Sequence, residues 1–220
     1  MEEIPVKRLI IAGAGGAGCE AFLVASRMRE EWELIGFCDD SPALKGAFVE
    51  GLPVIDSIGG AIGRFAGQEL WFHCAIGRNE TRKRTAEKLE SGGLLPATLV
   101  DPTAVVARSA SIGEGSYVGP FVFVGPGSRV GRHVLMNVSA SVGHDSTVGD
   151  YCQVCPGARL SGGTAMGEGA FVGSNGVTVP LVRIGEWATL GAASLAARDV
   201  PARVTSIGVP AAVRAPAAIS

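Results

Sequence analysis

Charge is scarce in this 220-residue chain: Asp, Glu, Lys and Arg make up 18%, below the usual quarter. The formal net charge is only −2, so nothing in it points to nucleic acid as a partner. Aromatic residues are few, at 6%, and His occurs three times. Mean hydropathy is +0.31, yet Gly, Pro or a charge interrupts every apolar run. None approaches the roughly 18 residues a membrane-spanning helix needs, so no membrane span is expected. MEEIPVKRLIIAGAGG begins with acids and has no apolar segment behind a basic flank, so no cleavable leader is expected. Cys19, Cys38, Cys74, Cys152 and Cys155 are odd in number and, without a leader, read as free thiols of a reducing, cytoplasmic setting. What abounds is glycine, with 32 residues, about twice the usual share. A hydrophobic fraction of 47% excludes disorder, so the glycines must serve a folded structure.

Their placement explains much of the excess. Residues 100–195 divide into 16 six-residue blocks without an insertion, among them IGEGSY, VGPFVF, VGRHVL, MNVSAS, VGHDST, VGDYCQ, LSGGTA and MGEGAF. The first residue is Val, Ile, Leu or Met in 15 of the 16, Thr178 being the exception. The fifth is small or Val throughout, and the second is Gly in ten blocks. A helix of period 3.6 cannot keep every sixth residue on one face. A solenoid of short strands can, with three blocks closing one triangular coil. The aliphatic first residue then fills the interior, the small fifth fits beside it, and Gly at the second is expected to supply the backbone angles of a corner.

The first third reads as an α/β unit with a parallel sheet. KRLIIA (7–12) is a buried strand, the glycine loop at 13–18 follows, and the next stretch has helical spacing. ELIGFC ends in Asp39 and Asp40, LWFHCAIG (70–77) is a third strand, and residues 79–90 form a charged helix. The expected division is 1–97 for this unit and 98–220 for the β-helix with a C-terminal capping tail. Gly13, Gly15 and Gly18 form G-x-G-x-x-G between strand and helix, with an acid at the end of the next strand. Three readings stay open: a phosphate- or nucleotide-bearing ligand, a redox dinucleotide, or a tight structural turn. The unit is long enough for one mononucleotide half, and such a loop brings backbone N–H groups and a helix N-terminus to phosphate.

Few residues suit chemistry. His73 reads as structural, and His133 as a solvated side chain. His144 holds a third position, which faces away from the packed interior, and precedes Asp145; a surface imidazole beside a carboxylate suits a general base. Cys152 and Cys155 form a lone C-x-x-C without further ligands at zinc spacing, and Cys152 sits at a packed fifth position, so no metal is expected. Only His133 and His144 lie in the repeat, which excludes a three-histidine metal site there. Exposed aromatics on the coil (Phe121, Phe123, Phe171, Trp187) suggest contact between copies.

Together these motifs resemble the hexapeptide-repeat nucleotide-sugar acetyltransferases of bacterial glycan biosynthesis. That family includes bacillosamine-pathway UDP-4-amino-sugar N-acetyltransferases, perosamine N-acetyltransferases and sialic acid O-acetyltransferases. The likeness rests on GAGGAG (13–18), CDD (38–40), AIGRNETRKR (75–84), DPTAVV (101–106), MNVSASVGHD (136–145), VGDYCQVCPGARLSGG (148–163) and IGVPAAVR (207–214). It implies a Rossmann-like half-domain followed by a left-handed parallel β-helix, assembled as a homotrimer with acetyl-CoA between neighbouring helices and no metal. By the same resemblance His144 is the base and Asp145 its supporting acid. Asn137 contacts substrate, as do Gly13, Gly15, Gly16, Asp39 and Asp40, which hold the nucleotide sugar. Gly162, Pro180, Ala192 and Arg214 belong to the acetyl-CoA side, with the Gly162 N–H meeting the acetyl carbonyl. The implied reaction is N-acetylation of a nucleotide-linked amino sugar. O-acetylation of a sialic-acid-like sugar and a non-catalytic nucleotide-binding β-helix are the alternatives. The chain departs from the family pattern at Ala17, Asp101, Gln153 and Ala212.

Overall fold

The computed structural model describes residues 6–214. The expected leader-free N-terminus at 1–5 and the end of the expected capping tail at 215–220 lie outside these residues. The chain divides into two compact units, with the boundary after Pro102.

In the first unit, β1 (Lys7–Ala12), α1 (Gly16–Ser26) and β2 (Trp32–Cys38) are followed by β3 (Phe48–Val49) and β4 (Leu52–Asp56). Next come α2 (Ile58–Arg64), β5 (Trp71–Cys74), α3 (Asn79–Ser91) and β6 (Leu95–Pro96). The strand order is β3-β4-β2-β1-β5-β6. All neighbours are parallel except β3 and β4, a hairpin closed by Glu50 and Gly51 at φ 50° and 78°. Leu9, Ile10, Ile11 and Ala12 are at most 1% exposed, as befits a central strand covered on both faces. Sequence periodicity passed over the stretch from 41 to 69, which holds β3, β4 and α2. Ser57 starts α2 by accepting the Gly60 N–H at 3.0 Å. Cys38 and Cys74 flank Ala12 in the sheet. Burial pushes both thiols up, Cys74 to about 12.

The second unit is a parallel β-helix. Two-residue strands recur every six residues, and each pairs with the strand one coil, 18 residues, further on, as Phe123 with Ser141 and Ser141 with Arg159. The first-position residues Val118, Val124, Met136, Val142, Val154, Leu160, Val172 and Leu190 are at most 2% exposed and fill the interior. Fifth-position hydroxyls and thiols are buried as well. Three of them donate to the second-position carbonyl 15 residues on: Ser116 to that of Gly131 at 2.9 Å, Ser128 to that of Gly143 at 2.7 Å, Cys152 to that of Gly167 at 3.0 Å. Residues 205–208 and 211–214 form a hairpin that extends one face beyond strand 189–190.

The glycine expectation needs correcting. The left-handed angles fall at the fourth position, where φ is 51–72° from Gly115 to Ala193, including Phe121, His133, Asp145, Tyr151, Leu181 and Trp187. Second-position glycines are needed for space instead. A Cβ on Gly149 would lie 2.8 Å from the Glu168 amide nitrogen and 3.0 Å from the Met166 carbonyl. At Gly149 the stacked coils approach too closely for a Cβ in that backbone geometry.

Candidate active site

Corners stack into edges because, from His133 onward, each fourth-position N–H bonds the third-position carbonyl one coil back. On one edge Asp145 N–H bonds Pro126 O, Gly163 N–H bonds His144 O and Leu181 N–H bonds Gly162 O, at 2.8–3.0 Å. Pro126, His144, Gly162 and Pro180 therefore line up along it. His144 and Asp145 are open to solvent, with side chains 70% and 74% exposed. His144 Nδ1 lies 2.8 Å from Asp145 Oδ2. The carboxylate accepts the Nδ1–H, which leaves Nε2 as the basic nitrogen. Nε2 hangs over Gly162: a Cβ there would be 2.5 Å from Nε2 and 2.7 Å from Cε1. Glycine at 162 is what lets the imidazole lie across the coil. The Gly162 N–H has no partner among the described residues; the bonds between coils come from the second-, fourth- and sixth-position amides, and residue 162 holds a third position. A basic nitrogen and an unspent backbone donor thus share one exposed spot.

Asn137 stands elsewhere. The edge through Val138, Pro156 and Ser174 is built by the same bonds, and Ala192 follows Ser174 on it by one coil. Asn137 lies at that edge, 9% exposed, and its Oδ1 accepts from Gln153 Nε2 at 3.3 Å. Within one chain Asn137 and Ala192 are therefore separated from His144, Gly162 and Pro180 by one face of the prism. That face carries Val105, 59% exposed, and Phe123, 44% exposed, with Phe121, 66% exposed, at its corner. Phe171 and Trp187 are only half-exposed; Trp187 fills the space left by Gly169. Arg214 lies on the terminal hairpin, opposite Thr205.

His133 is not solvated, contrary to expectation. It is 0% exposed and stacks on Tyr151, with ring centroids 5.4 Å apart and planes 5° from parallel. Gly115, one coil back, makes the room: a Cβ there would collide with the His133 imidazole. The alternation of small and large residues at 18-residue spacing (Gly115, His133, Tyr151, Gly169, Trp187) was the available signal.

In the first unit, the strand order reverses at β1, whose neighbours β2 and β5 lead to opposite sides. Ligands of open α/β sheets bind at the carboxyl ends of strands around such a point. There Gly13 adopts φ 103°, with space for its Cβ denied by the Ala75 carbonyl at 2.8 Å. Gly15 and Gly16 open α1 and face free space. Asp39 accepts from Ala14 N–H and Ser41 N–H, both at 2.8 Å, so its carboxylate braces the glycine loop. Asp40 instead takes the Ile58 N–H at the start of α2. Periodicity missed Arg82, which is 0% exposed and donates to the Ile76 carbonyl and Asn79 Oδ1, both at 2.9 Å, holding the loop after β5. Among the described residues, no three His, Cys, Asp or Glu side chains gather as a metal site needs, and no helix is long and apolar enough to cross a membrane.

A parallel β-helix with a basic imidazole and a free amide on its edge defines an acyltransferase of the hexapeptide-repeat class. The model of the PglD N-terminal domain matches residues 8–89. The acetyltransferase domain of PglB from Neisseria gonorrhoeae, solved with acetyl coenzyme A, is 30% identical over 96% of this chain and 100% of that one, with a TM-score of 0.89. PerB from Caulobacter crescentus, solved with CoA and GDP-perosamine, is 31% identical over 96% and 99%, with the same TM-score. A 50-residue segment is 42% identical to the UDP-N-acetylbacillosamine N-acetyltransferase of Bacillus subtilis, but spans only 23% of either chain. This chain belongs to the hexapeptide-repeat nucleotide-sugar acetyltransferase family, and its β-helix is of the left-handed type.

Proposed function

We propose that this protein transfers the acetyl group of acetyl-CoA to the amine of a nucleotide-linked amino sugar of the UDP-4-amino-sugar type. The observation that carries the reading is the pairing of His144 Nε2 with the unspent Gly162 N–H on one edge. Relatives solved with acetyl coenzyme A, and with CoA and GDP-perosamine, support the choice of substrates. The neutral amine attacks the thioester carbonyl carbon, forming the C–N bond while the carbonyl π pair moves to oxygen. Gly162 N–H stabilises that oxyanion. His144 takes the ammonium proton, with Asp145 holding the ring by Nδ1. Collapse of the intermediate breaks the C–S bond, and the CoA thiolate recovers the proton from the imidazolium. Asn137 contributes to sugar binding. The loop of Gly13, Gly15 and Gly16, braced by Asp39 with Asp40 close by, receives the nucleotide phosphates.

The working form in this reading is a trimer. The apolar face with Val105, Phe121 and Phe123 lies between the His144 edge and the Asn137 edge. Packing it around a three-fold axis sets the His144 edge of one copy beside the Asn137 edge of the next. Pro180 would then line the acetyl-CoA groove from one copy and Ala192 from the other, with Arg214 supplying charge for the CoA phosphates. Two domains, 1–97 and 98–220, divide the work of binding sugar and transferring acetyl. Free thiols fit a cytoplasmic setting.

The test is thiol release from acetyl-CoA in the presence of amine-bearing nucleotide sugars and their hydroxyl counterparts. Turnover with the amines alone is expected. Turnover with hydroxyls alone would transfer the assignment to O-acetylation, and binding of nucleotide sugar without turnover or CoA binding would leave a non-catalytic β-helix.

A further inference from the structure

Thr178 is the one first-position residue that is not aliphatic, and it faces the residue before Gly162. In ordinary coils the second-position N–H bonds the first-position carbonyl of the next coil, as Gly143 does to Leu160 at 2.7 Å. At Ser161 that bond is replaced. Ser161 N–H donates to Thr178 Oγ1 at 3.0 Å, and Ser161 Oγ donates to the Thr178 carbonyl at 2.6 Å. The strands here pair only through Arg159 and Val177, where the other described stacks of strands pair through at least two residues. Thr178 Oγ1 lies 2.8 Å from Thr164 Oγ1, which donates to the Ser161 carbonyl at 2.7 Å. The Thr164 proton is thereby committed, so Thr178 is the donor of that pair. A directional ring closes: Ser161 N–H to Thr178, Thr178 to Thr164, Thr164 to Ser161 carbonyl. Ser146 Oγ adds a bond to the same carbonyl at 3.3 Å. Ser146, Thr164 and Thr178 are each 0% exposed.

The Ser161 carbonyl and the Gly162 N–H are two ends of one planar peptide. Bonds that fix the carbonyl fix the direction of the N–H, and donors on the oxygen polarise the N–H further. Coil packing does not ask for these hydroxyls. Val fills the first position in most coils, and Val122, Val134 and Val182 fill the fifth.

We propose that Thr178 and Thr164 are positioning residues for acyl transfer, holding the Ser161–Gly162 peptide so that its N–H meets the acetyl carbonyl. The proposal rests on Gly162 as oxyanion donor. It is tested in the full chain with Thr178→Val and Thr164→Val, each beside its Ser counterpart. Losing one oxyanion donor typically costs about 10²–10³ in kcat. Misdirecting it is expected to cost about tenfold, with KM for acetyl-CoA within about twofold, because the contact strengthens in the transition state. Melting temperature is expected to fall only slightly, since each Val leaves one partner of the buried ring unpaired, and the Ser variants are expected to restore kcat. With acetyl-CoA carrying a ¹³C carbonyl, the bound thioester stretch is expected to move to higher frequency in the Val variants. Unchanged kcat and unchanged stretch would overturn the proposal, as would a kcat loss that follows a fall in melting temperature and is not rescued by Ser. His144→Ala in the same assay separates the two levels. Retained turnover there would refute the site itself, whereas lost turnover beside fully active Thr→Val variants would refute only the positioning role.

Discussion

Gly162→Ala isolates the geometry of the His144 imidazole, the proposed base. The added methyl would lie 2.5 Å from His144 Nε2, 2.7 Å from Cε1 and 3.0 Å from Cδ2. Ordinary carbon contacts begin near about 3.5 Å, so the imidazole must recede by about 1 Å. A misplacement of that size costs roughly 10²-fold in rate. The coil itself has little reason to respond. Residue 162 does not have a positive φ, and the His144 side chain is 70% exposed and free to swing outward. Stability is expected to stay within about 0.5 kcal/mol, as for surface substitutions. The Gly162 N–H also survives the change, so the loss reports the imidazole. The assay is steady-state thiol release from acetyl-CoA with a saturating amino sugar nucleotide, alongside a thermal melt. A kcat within about threefold of wild type would show that the imidazole need not lie over residue 162. A loss of activity matched by a melting temperature many degrees lower would place the effect in the coil rather than in the imidazole.

Gly149→Ala should behave oppositely. Its methyl would meet only backbone, at 2.8 Å from the Glu168 nitrogen and 2.9 Å from the Gly167 carbonyl carbon, so no side chain can give way. Overpacking of this kind costs about 1–3 kcal/mol, readable by urea unfolding. Asp145→Asn should be mild: both partners of the 2.8 Å pair are largely exposed, and such pairs are weak, so a fall in kcat of about two- to fivefold is expected. Alkaline pH should destabilise the first unit. Burial raises the Cys38 and Cys74 thiols above their ordinary 9.0, so above pH 9 the unfolded chain releases protons that the folded chain retains. The stability they confer is complete below pH 9 and falls as pH rises from there toward about 12, the Cys74 value. The slope is roughly one kcal/mol or slightly more per pH unit for each thiol. Melts from pH 8 to 11 should show it, and Cys74→Ala should roughly halve it, leaving the Cys38 share.

The β-helix was legible because its packing rule is periodic: an aliphatic first residue and a small fifth, kept in register from 100 to 195, have no helical or sandwich counterpart. The glycines were located correctly and explained wrongly. A frequency at the second position cannot distinguish a need for special φ from a need for empty space. The true corner position carries Phe121, His133, Tyr151 and Trp187, residues that announce no angle. His133 reads as solvated from its own rung because the residues that bury it, Gly115 and Tyr151, are 18 residues away. The stretch from 41 to 69 escaped notice because its strands are short and its helix is largely Gly and Ala. The His144–Asp145 pair could be read from adjacency. Its registry over Gly162 followed from an 18-residue coil, while the hydroxyl ring behind Gly162 showed only as one odd residue, Thr178.

In the proposed reaction His144 takes the proton in direct acetyl transfer. The measurement is single-turnover acetylation of an amine-bearing nucleotide sugar by wild type and His144→Ala at saturating acetyl-CoA. Removing a general base typically costs about 10²–10⁴-fold. A loss in that range is expected with the melting temperature unchanged, because the imidazole packs against nothing but the space over Gly162 and its bond to Asp145. A His144→Ala protein that acetylates at near wild-type rate would contradict it.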